Sequence, residues 1–303
     1  MANHHLFVWQ RSISVVAAAA LGFMAGFSLT VDKSIPQKTV NTFALPLGGQ
    51  HLNTAKSPAL AAQSNEPFKQ VVAKLMEAEK AKRLNPPVPD QFQGKTVKDI
   101  PLSSGEKVIA LTFDDGPWPK TTNEILYILN KNNIKATFFF IGKNVQSFPE
   151  LAKLVAEHGH AIGNHTWSHP YHQHSAAAAA QQIDQTAELI YKLTGIKTTL
   201  FRPPGGHMTN GLVAYAQNKK YVNVMWSADS RDYAVSSPKL LSNVLNQSSP
   251  GGIVLMHDGG GNRMGTVNAL PEMITQLRKQ GYKFVTVPEL MEMREKELKA
   301  NKG

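Results

Sequence analysis

The run from Val108 to Phe113 is apolar apart from Thr112 and ends in two adjacent carboxylates, Asp114 and Asp115, followed at once by Gly116 and Pro117. Side chains alternate along a strand, so the two acids face one site only if the chain turns between them. Acids so placed are free to take different roles; a surface Asp-Gly turn is the plain alternative. Further along, His165 and His169 stand four apart. On a helical turn both imidazoles would share one face and reach one metal ion, against which stands a chance spacing. With Asp115 they make a two-histidine, one-carboxylate set that leaves coordination positions open for water or substrate. Pro170 restricts His169, so the turn ends there. Arg202-Pro203-Pro204-Gly205-Gly206 joins a fixed loop to glycines that give a ligand access to backbone N–H groups. Asp229 and Asp232 supply a second acid pair before Tyr233, and His257 with Asp258 closes the series. His172 and His174 read as solvated loop residues.

These positions matter only if the fold gathers them. Hydrophobic periodicity predicts strands at 109–113, 136–141, 161–164, 199–201, 222–226, 253–256 and 283–287, with helices at 123–132, 148–158, 175–193 and 273–280 between them. Strands alternating with helices imply a parallel sheet or barrel wrapped by helices. Such folds bind ligands at the carboxyl ends of their strands. Every cluster named above follows a predicted strand, and five such coincidences are hard to attribute to turns.

At this point the chain resembles a known family. Thr-Phe-Asp-Asp-Gly at 112–116, His-Thr-Trp-Ser-His at 165–169, Arg-Pro-Pro-Gly-Gly at 202–206, Asp-Ser-Arg-Asp-Tyr at 229–233 and Leu-Met-His at 255–257 match in order the motifs of polysaccharide deacetylases, the NodB-homology enzymes of carbohydrate esterase family 4. The resemblance covers roughly residues 105–290 and implies an α/β fold, a distorted and incomplete (β/α) barrel. It further implies a divalent metal, usually zinc with cobalt(II) or another ion as alternatives, held by Asp115, His165 and His169. By the same motifs Asp114 is the general base, Gly205 N–H an oxyanion donor and His257 the general acid. Arg202 would orient Asp114, and Asp232 would orient His257. Gly205 stands where many members have Tyr, and Tyr233 where Trp is usual, which puts substrate fit in question but not the reacting groups.

The 303 residues carry a net charge of +10 and no cysteine. Disulfides and thiolate metal sites are excluded, so His, Asp and Glu are the strong ligands left. The positive charge favours an anionic wall polymer or membrane surface; the basic residues are scattered and no nucleic-acid motif accompanies them. Residues 12–31 hold no charge and follow Arg11, a length that suits a membrane anchor with an extracytoplasmic remainder, while small residues near Gly26 and Ser28 leave room for signal-peptide cleavage. The expected order is therefore an anchor or signal peptide at 1–31, a linker and helical stalk at 32–93 with its helix at 66–84, a catalytic domain at 94–292 and a charged tail at 293–303. The implied function is metal-dependent removal of N-acetyl groups from an N-acetylglucosamine-containing wall glycan, peptidoglycan first. O-deacetylation of xylan or another acetylated glycan is the alternative within the enzyme class, and a non-catalytic glycan-binding module the alternative outside it. The expected partners are the polysaccharide and the membrane, without nucleic acid or an obligate protein partner.

Overall fold

The computed structural model describes residues 69–75 and 88–301. Its centre is β2 (Val108–Asp114), buried at every residue. Alternation divides that strand between two apolar clusters. Ile109, Leu111 and Phe113 face one, shared with the surrounding helices; Val108 and Ala110 face the other, with Leu200, Val222, Val224 and Ile253. Continuing the period of two, Thr112 and Asp114 lie on the same face as Val108 and Ala110. The alternation along β2 thus determines which way the first acid points.

Around β2 stand β1 (Thr96–Val97), β3 (Thr137–Phe140), β4 (Ala161–Asn164), β5 (Leu200–Phe201), β6 (Val222–Val224), β7 (Ala228–Asp229), β8 (Gly252–His257) and β9 (Lys283–Val285). They form one sheet in the order β1-β6-β5-β4-β3-β2-β8-β7, with β9 also paired to β2. All of these pairings are parallel. β9 takes Val108–Ala110 while β3 takes Thr112–Asp114, so the two share one edge of β2. The sheet is a curled, incomplete barrel of the expected α/β kind. In register, Asp114 lies opposite His257, and Phe140 opposite Asn164, the residue before His165.

The wrapping helices, counted from the first one after β2, are α1 (Thr121–Lys131), α2 (Gly142–Ser147), α3 (Pro149–Glu157), α4 (Ala176–Thr194), α5 (Leu212–Asn218), α6 (Ser237–Gln247), α7 (Met264–Lys279) and α8 (Val287–Ala300). Phe113 stacks on Phe138 at 5.1 Å between β2 and β3, both fully buried. Truncating either to Ala would cost about 3–5 kcal/mol.

Several boundaries differ from the sequence reading. α7 begins nine residues before the expected 273, running through Pro271; proline removes one backbone hydrogen bond, but burial of Val267, Ala269 and Leu270 on its N-terminal side holds the turns together. Residues 293–300, expected as part of a charged tail, continue α8. Its start is fixed by a capping box, Thr286 with Glu289, and it buries Val287, Leu290 and Met291 in the second cluster. Farther on, Glu297 accepts the backbone N–H groups of Ser103 and Ser104 at 2.7 and 2.9 Å. Of the helix expected at 66–84, residues 69–75 are helical, and the rest lies outside the described residues, as does the apolar run at 12–31. Among the described residues no helix is long and apolar enough to cross a membrane.

Candidate active site

Asp115 solves the orientation problem posed by two neighbouring acids. Its φ is +73°, and this left-handed turn brings its carboxylate beside that of Asp114 instead of across the sheet. His165 Nε2 lies 3.8 Å from Asp114 Oδ2 and 3.5 Å from Asp115 Oδ1. The turn is held from below, where Asn144 Nδ2 donates to the Asp115 carbonyl at 2.7 Å. Gly116 is obligatory here, since a Cβ would sit 2.1 Å from Asp258 Oδ2.

The two histidines converge, but by another route than the helical turn expected. Thr166 and His169 have φ of +70° and +56°, so the loop after β4 folds back through two left-handed residues. Local hydrogen bonds fix it. Asn164 Oδ1 accepts from Thr166 N at 2.9 Å and Thr166 Oγ1 from His169 N at 3.0 Å. Gln182 of α4 reaches across, its Oε1 accepting from Trp167 N and Ser168 N, each at 3.0 Å. His169 Nε2 ends 3.3 Å from Asp115 Oδ1.

Asp115, His165 and His169 form the one group among the described residues whose ligand atoms all lie within 4.8 Å of one another. Three observations fit this set to a cation. Asp115 Oδ1 is buried without a hydrogen-bond partner, a cost that a ligand removes. His165 Nδ1 contacts the Arg202 carbonyl at 2.7 Å; an N–H there leaves Nε2 with its lone pair toward the acids. Burial also holds the His165 pKa down to about 3, against the pull of Asp115. The imidazole is therefore neutral, and the short His165–acid distances are spacings between ligand atoms, not a salt bridge.

Arg202 is fully buried and is spent entirely on this site. Nη1 donates to Asp114 Oδ1 at 2.7 Å and to Thr112 Oγ1 at 2.8 Å. Nε and Nη2 donate to the carbonyls of Val224 and Met225. Its guanidinium lies 4.1 Å from the Phe139 ring centre. Burial raises the Asp114 pKa, and Arg202 opposes this without cancelling it. The result is a carboxylate kept in place and more basic than usual.

On the other side of Asp114, His257 Nδ1 meets Asp232 Oδ1 at 2.7 Å. Asp232 Oδ2 accepts from the His257 backbone N–H and from Thr266 Oγ1, both at 2.7 Å. Burial works to raise the Asp232 pKa, but these bonds outweigh it and lower the pKa. Burial likewise works to lower that of His257, but Asp232 first, then Asp114 and Asp115, raise it. Tyr233 stands edge-on to His257 at 5.7 Å.

Gly205 sits in a 3-10 turn (Pro204–Gly206) with φ +59°. Gly206 and His207 N–H groups are taken by Pro203 and Pro204; no hydrogen bond within the described residues uses the Gly205 N–H. Asp229 does not join the cluster, since its Oδ1 accepts from Arg231 N at 2.8 Å in a local turn. His172 is exposed, whereas His174 is half-buried, stacked on His172 at 4.4 Å with both ring nitrogens shielded and unpartnered. Asn144, Thr112, Gln182 and Thr266 were not legible as site residues. Thr112 alone had a signal, a hydroxyl at an inward position of an apolar strand. Asp258 is buried beside the site, with its pKa pushed up to about 7 by burial; Thr122 Oγ1 donates to its Oδ2 at 2.6 Å.

Comparison with known proteins agrees with this geometry. The family model for polysaccharide deacetylase matches residues 102–224. A peptidoglycan-N-acetylglucosamine deacetylase of Bacillus cereus is 40% identical over 193 residues, 63% of this chain and 91% of the relative. Among solved structures, a peptidoglycan N-acetylglucosamine deacetylase bound to an N-hydroxybenzamide superimposes with a TM-score of 0.62 at 36% identity, covering 66% of this chain and 94% of that one. A carbohydrate esterase family 4 pseudoenzyme from Bacillus anthracis gives a TM-score of 0.59 at 31% identity, over 65% of this chain and 68% of its own. The chain belongs to the polysaccharide deacetylase family and is a hydrolase that removes acetyl groups from a polysaccharide.

Proposed function

We propose that this hydrolase removes N-acetyl groups from N-acetylglucosamine residues of peptidoglycan, with Asp114 as base, His257 as acid and a divalent ion, zinc in the first instance, at Asp115, His165 and His169. The carrying observation is that the three ligand side chains, a basic carboxylate and an imidazolium-forming dyad meet at adjoining strand ends. The family also contains a pseudoenzyme, so the fold alone does not imply turnover; a full set of reacting groups favours it.

When bound, the ion supplies Lewis-acid polarisation of the amide carbonyl and makes water acidic enough to deprotonate near neutral pH. Asp114 accepts the proton from the attacking water through the oxygen not held by Arg202. Charge gathering on the carbonyl oxygen finds the free Gly205 N–H. His257 donates its proton to the amide nitrogen as the C–N bond breaks, and Asp232 stabilises the imidazolium beforehand. Acetate and a free amine leave.

The relatives named for peptidoglycan support that substrate. A chain of charge +10 is retained by an anionic wall. The uncharged run at 12–31 supports an extracytoplasmic enzyme, anchored by that segment or released if it is cleaved. The test is acetate release from peptidoglycan by the full chain, before and after chelation and after zinc is restored. Release lost and regained is expected; acetylxylan as substrate in a parallel reaction separates the O-deacetylase alternative. Silence on both glycans, from folded protein that holds zinc, would sink the reading in favour of a binding module.

A further inference from the structure

Trp118, Tyr171, Met208 and Tyr233 are four of the eight exposed large apolar side chains among the described residues. All four lie on loops that follow strands, the rim where the site opens. Tyr233 already belongs to the acid side, against His257. Tyr171 stands on the metal side, and none of the reacting roles uses it.

Its ring is held in place although 59% of the residue is exposed. It stands edge-on to His169 at 5.0 Å and to His207 at 5.6 Å. Pro170, with its fixed φ, precedes it. It also leans over Gly205, where a Cβ would meet Tyr171 Cε1 at 2.9 Å. The open space that a glycine leaves beside the unused Gly205 N–H is thus roofed by a ring from another loop. A rigid aromatic surface that stays exposed beside polar reacting groups is built for a ligand that is apolar on one face and polar at its edge. A pyranose is such a ligand, because its axial C–H bonds form an apolar face and its hydroxyl and acetamido groups line the rim.

We propose that Tyr171 is a specificity-determining residue, whose ring receives the C–H face of a pyranose of the glycan beside His169 and Gly205. This rests on the deacetylase reading for the identity of the glycan, but not for the contact itself. The ring acts on binding, so its removal weakens substrate capture and leaves the chemical step alone.

The experiment uses the zinc-loaded full chain, tetra-N-acetylchitotetraose as the glycan, and 4-nitrophenyl acetate as an ester with no sugar. Tyr171→Ala is expected to raise KM for the tetramer roughly tenfold, the size of one lost aromatic contact, with kcat and ester hydrolysis within about twofold of the parent. Tyr171→Phe, which keeps the ring, is expected to behave as the parent. Equal losses on tetramer and ester would show that the ring merely props His169, and would overturn the proposal, as would an unchanged KM. Calorimetric Kd for the tetramer on the chelator-treated full chain provides a second readout without turnover. Binding that weakens in Tyr171→Ala while the parent releases no acetate would uphold this contact and sink the deacetylase reading; a parent that does not bind the tetramer would overturn the contact.

Discussion

The two ends of β4 each carry a buried imidazole, and the contrast between them shows what makes a site. His160 precedes the strand and His165 follows it. Both are 2% exposed, and burial pushes the pKa of each down to about 3. His160 Nδ1 accepts the Ala136 N–H at 3.1 Å, its ring lies edge-on to Phe138, and its Nε2 faces no partner. His165 turns the same atom toward two carboxylates. Equal burial and an equal pKa shift thus accompany a packing role at the amino end and a ligand role at the carboxyl end. The difference is supplied by the neighbours, which the parallel sheet collects at one end only.

The sharpest way to break this contrast is to delete each imidazole in turn. His165→Ala should lose bound zinc and lower acetate release by about 10³-fold or more, while His160→Ala should keep its zinc and stay within about twofold in kcat, with a lower Tm from the cavity. Metal content by elemental analysis together with an acetate assay decides it; zinc loss in both variants would erase the distinction.

A third imidazole extends the comparison, since His257 is half-buried and yet shifted upward. Asp232→Asn should turn it into the His160 type. We expect kcat to fall about 10²- to 10³-fold with zinc retained. The acid must carry its proton, so lowering its pKa moves the alkaline limb of the pH–rate profile to lower pH. A limb that stays in place would remove His257 from the role of acid.

Stability against pH tests the packing end. Unfolded histidine binds a proton near pH 6.5, while native His160 resists it down to about 3. The unfolded state therefore holds the extra proton in that window, and stability falls as pH falls, by about 1.4 kcal/mol per pH unit for this residue. Between pH 6 and 4, His160→Gln should lose roughly 2–3 kcal/mol less than the parent does over the same range in denaturant unfolding. Parallel curves would mean that His160 is protonated in the native state.

The smallest expected effect lies on the loop that aims His165 and His169. Gln182→Ala removes the bridge to Trp167 N and Ser168 N and should weaken zinc affinity about tenfold. Unchanged affinity, measured by competition with a chelating dye, would mean that Asn164 and Thr166 hold the loop unaided.

Seven of the nine strands among the described residues were legible because buried parallel strands read as apolar runs, and the reacting groups because most follow such a run; β1 and β7, two residues each, are too short to show one. What escaped were residues whose role is to fix backbone. Gln182 sits in an alanine-rich helix with nothing in its surroundings to single it out, and Asn144 belongs to a helix, α2, that sequence periodicity did not reveal. The left-handed turns at Asp115, Thr166 and His169 also had no sequence sign, because non-glycine residues seldom adopt them. The four-residue spacing alone points to a helical turn joining the histidines. The α8 cap was readable as Thr-x-x-Glu, yet the charged composition beyond it suggested a tail.

Arg202 carries one further consequence. Its donors join β2 to the Val224 and Met225 carbonyls at the end of β6, its own carbonyl holds His165 beyond β4, and its ring contact reaches β3. It is a keystone as much as a catalytic part, because one side chain ties together strands that are not neighbours in the sheet, at the level of the site. Amides at the tops of these strands should therefore exchange with solvent only when the whole domain opens. Replacing it with lysine leaves several carbonyls and a buried acid short of partners, a loss of about 3–5 kcal/mol. At this position, selection for turnover and selection for folding act on the same atoms.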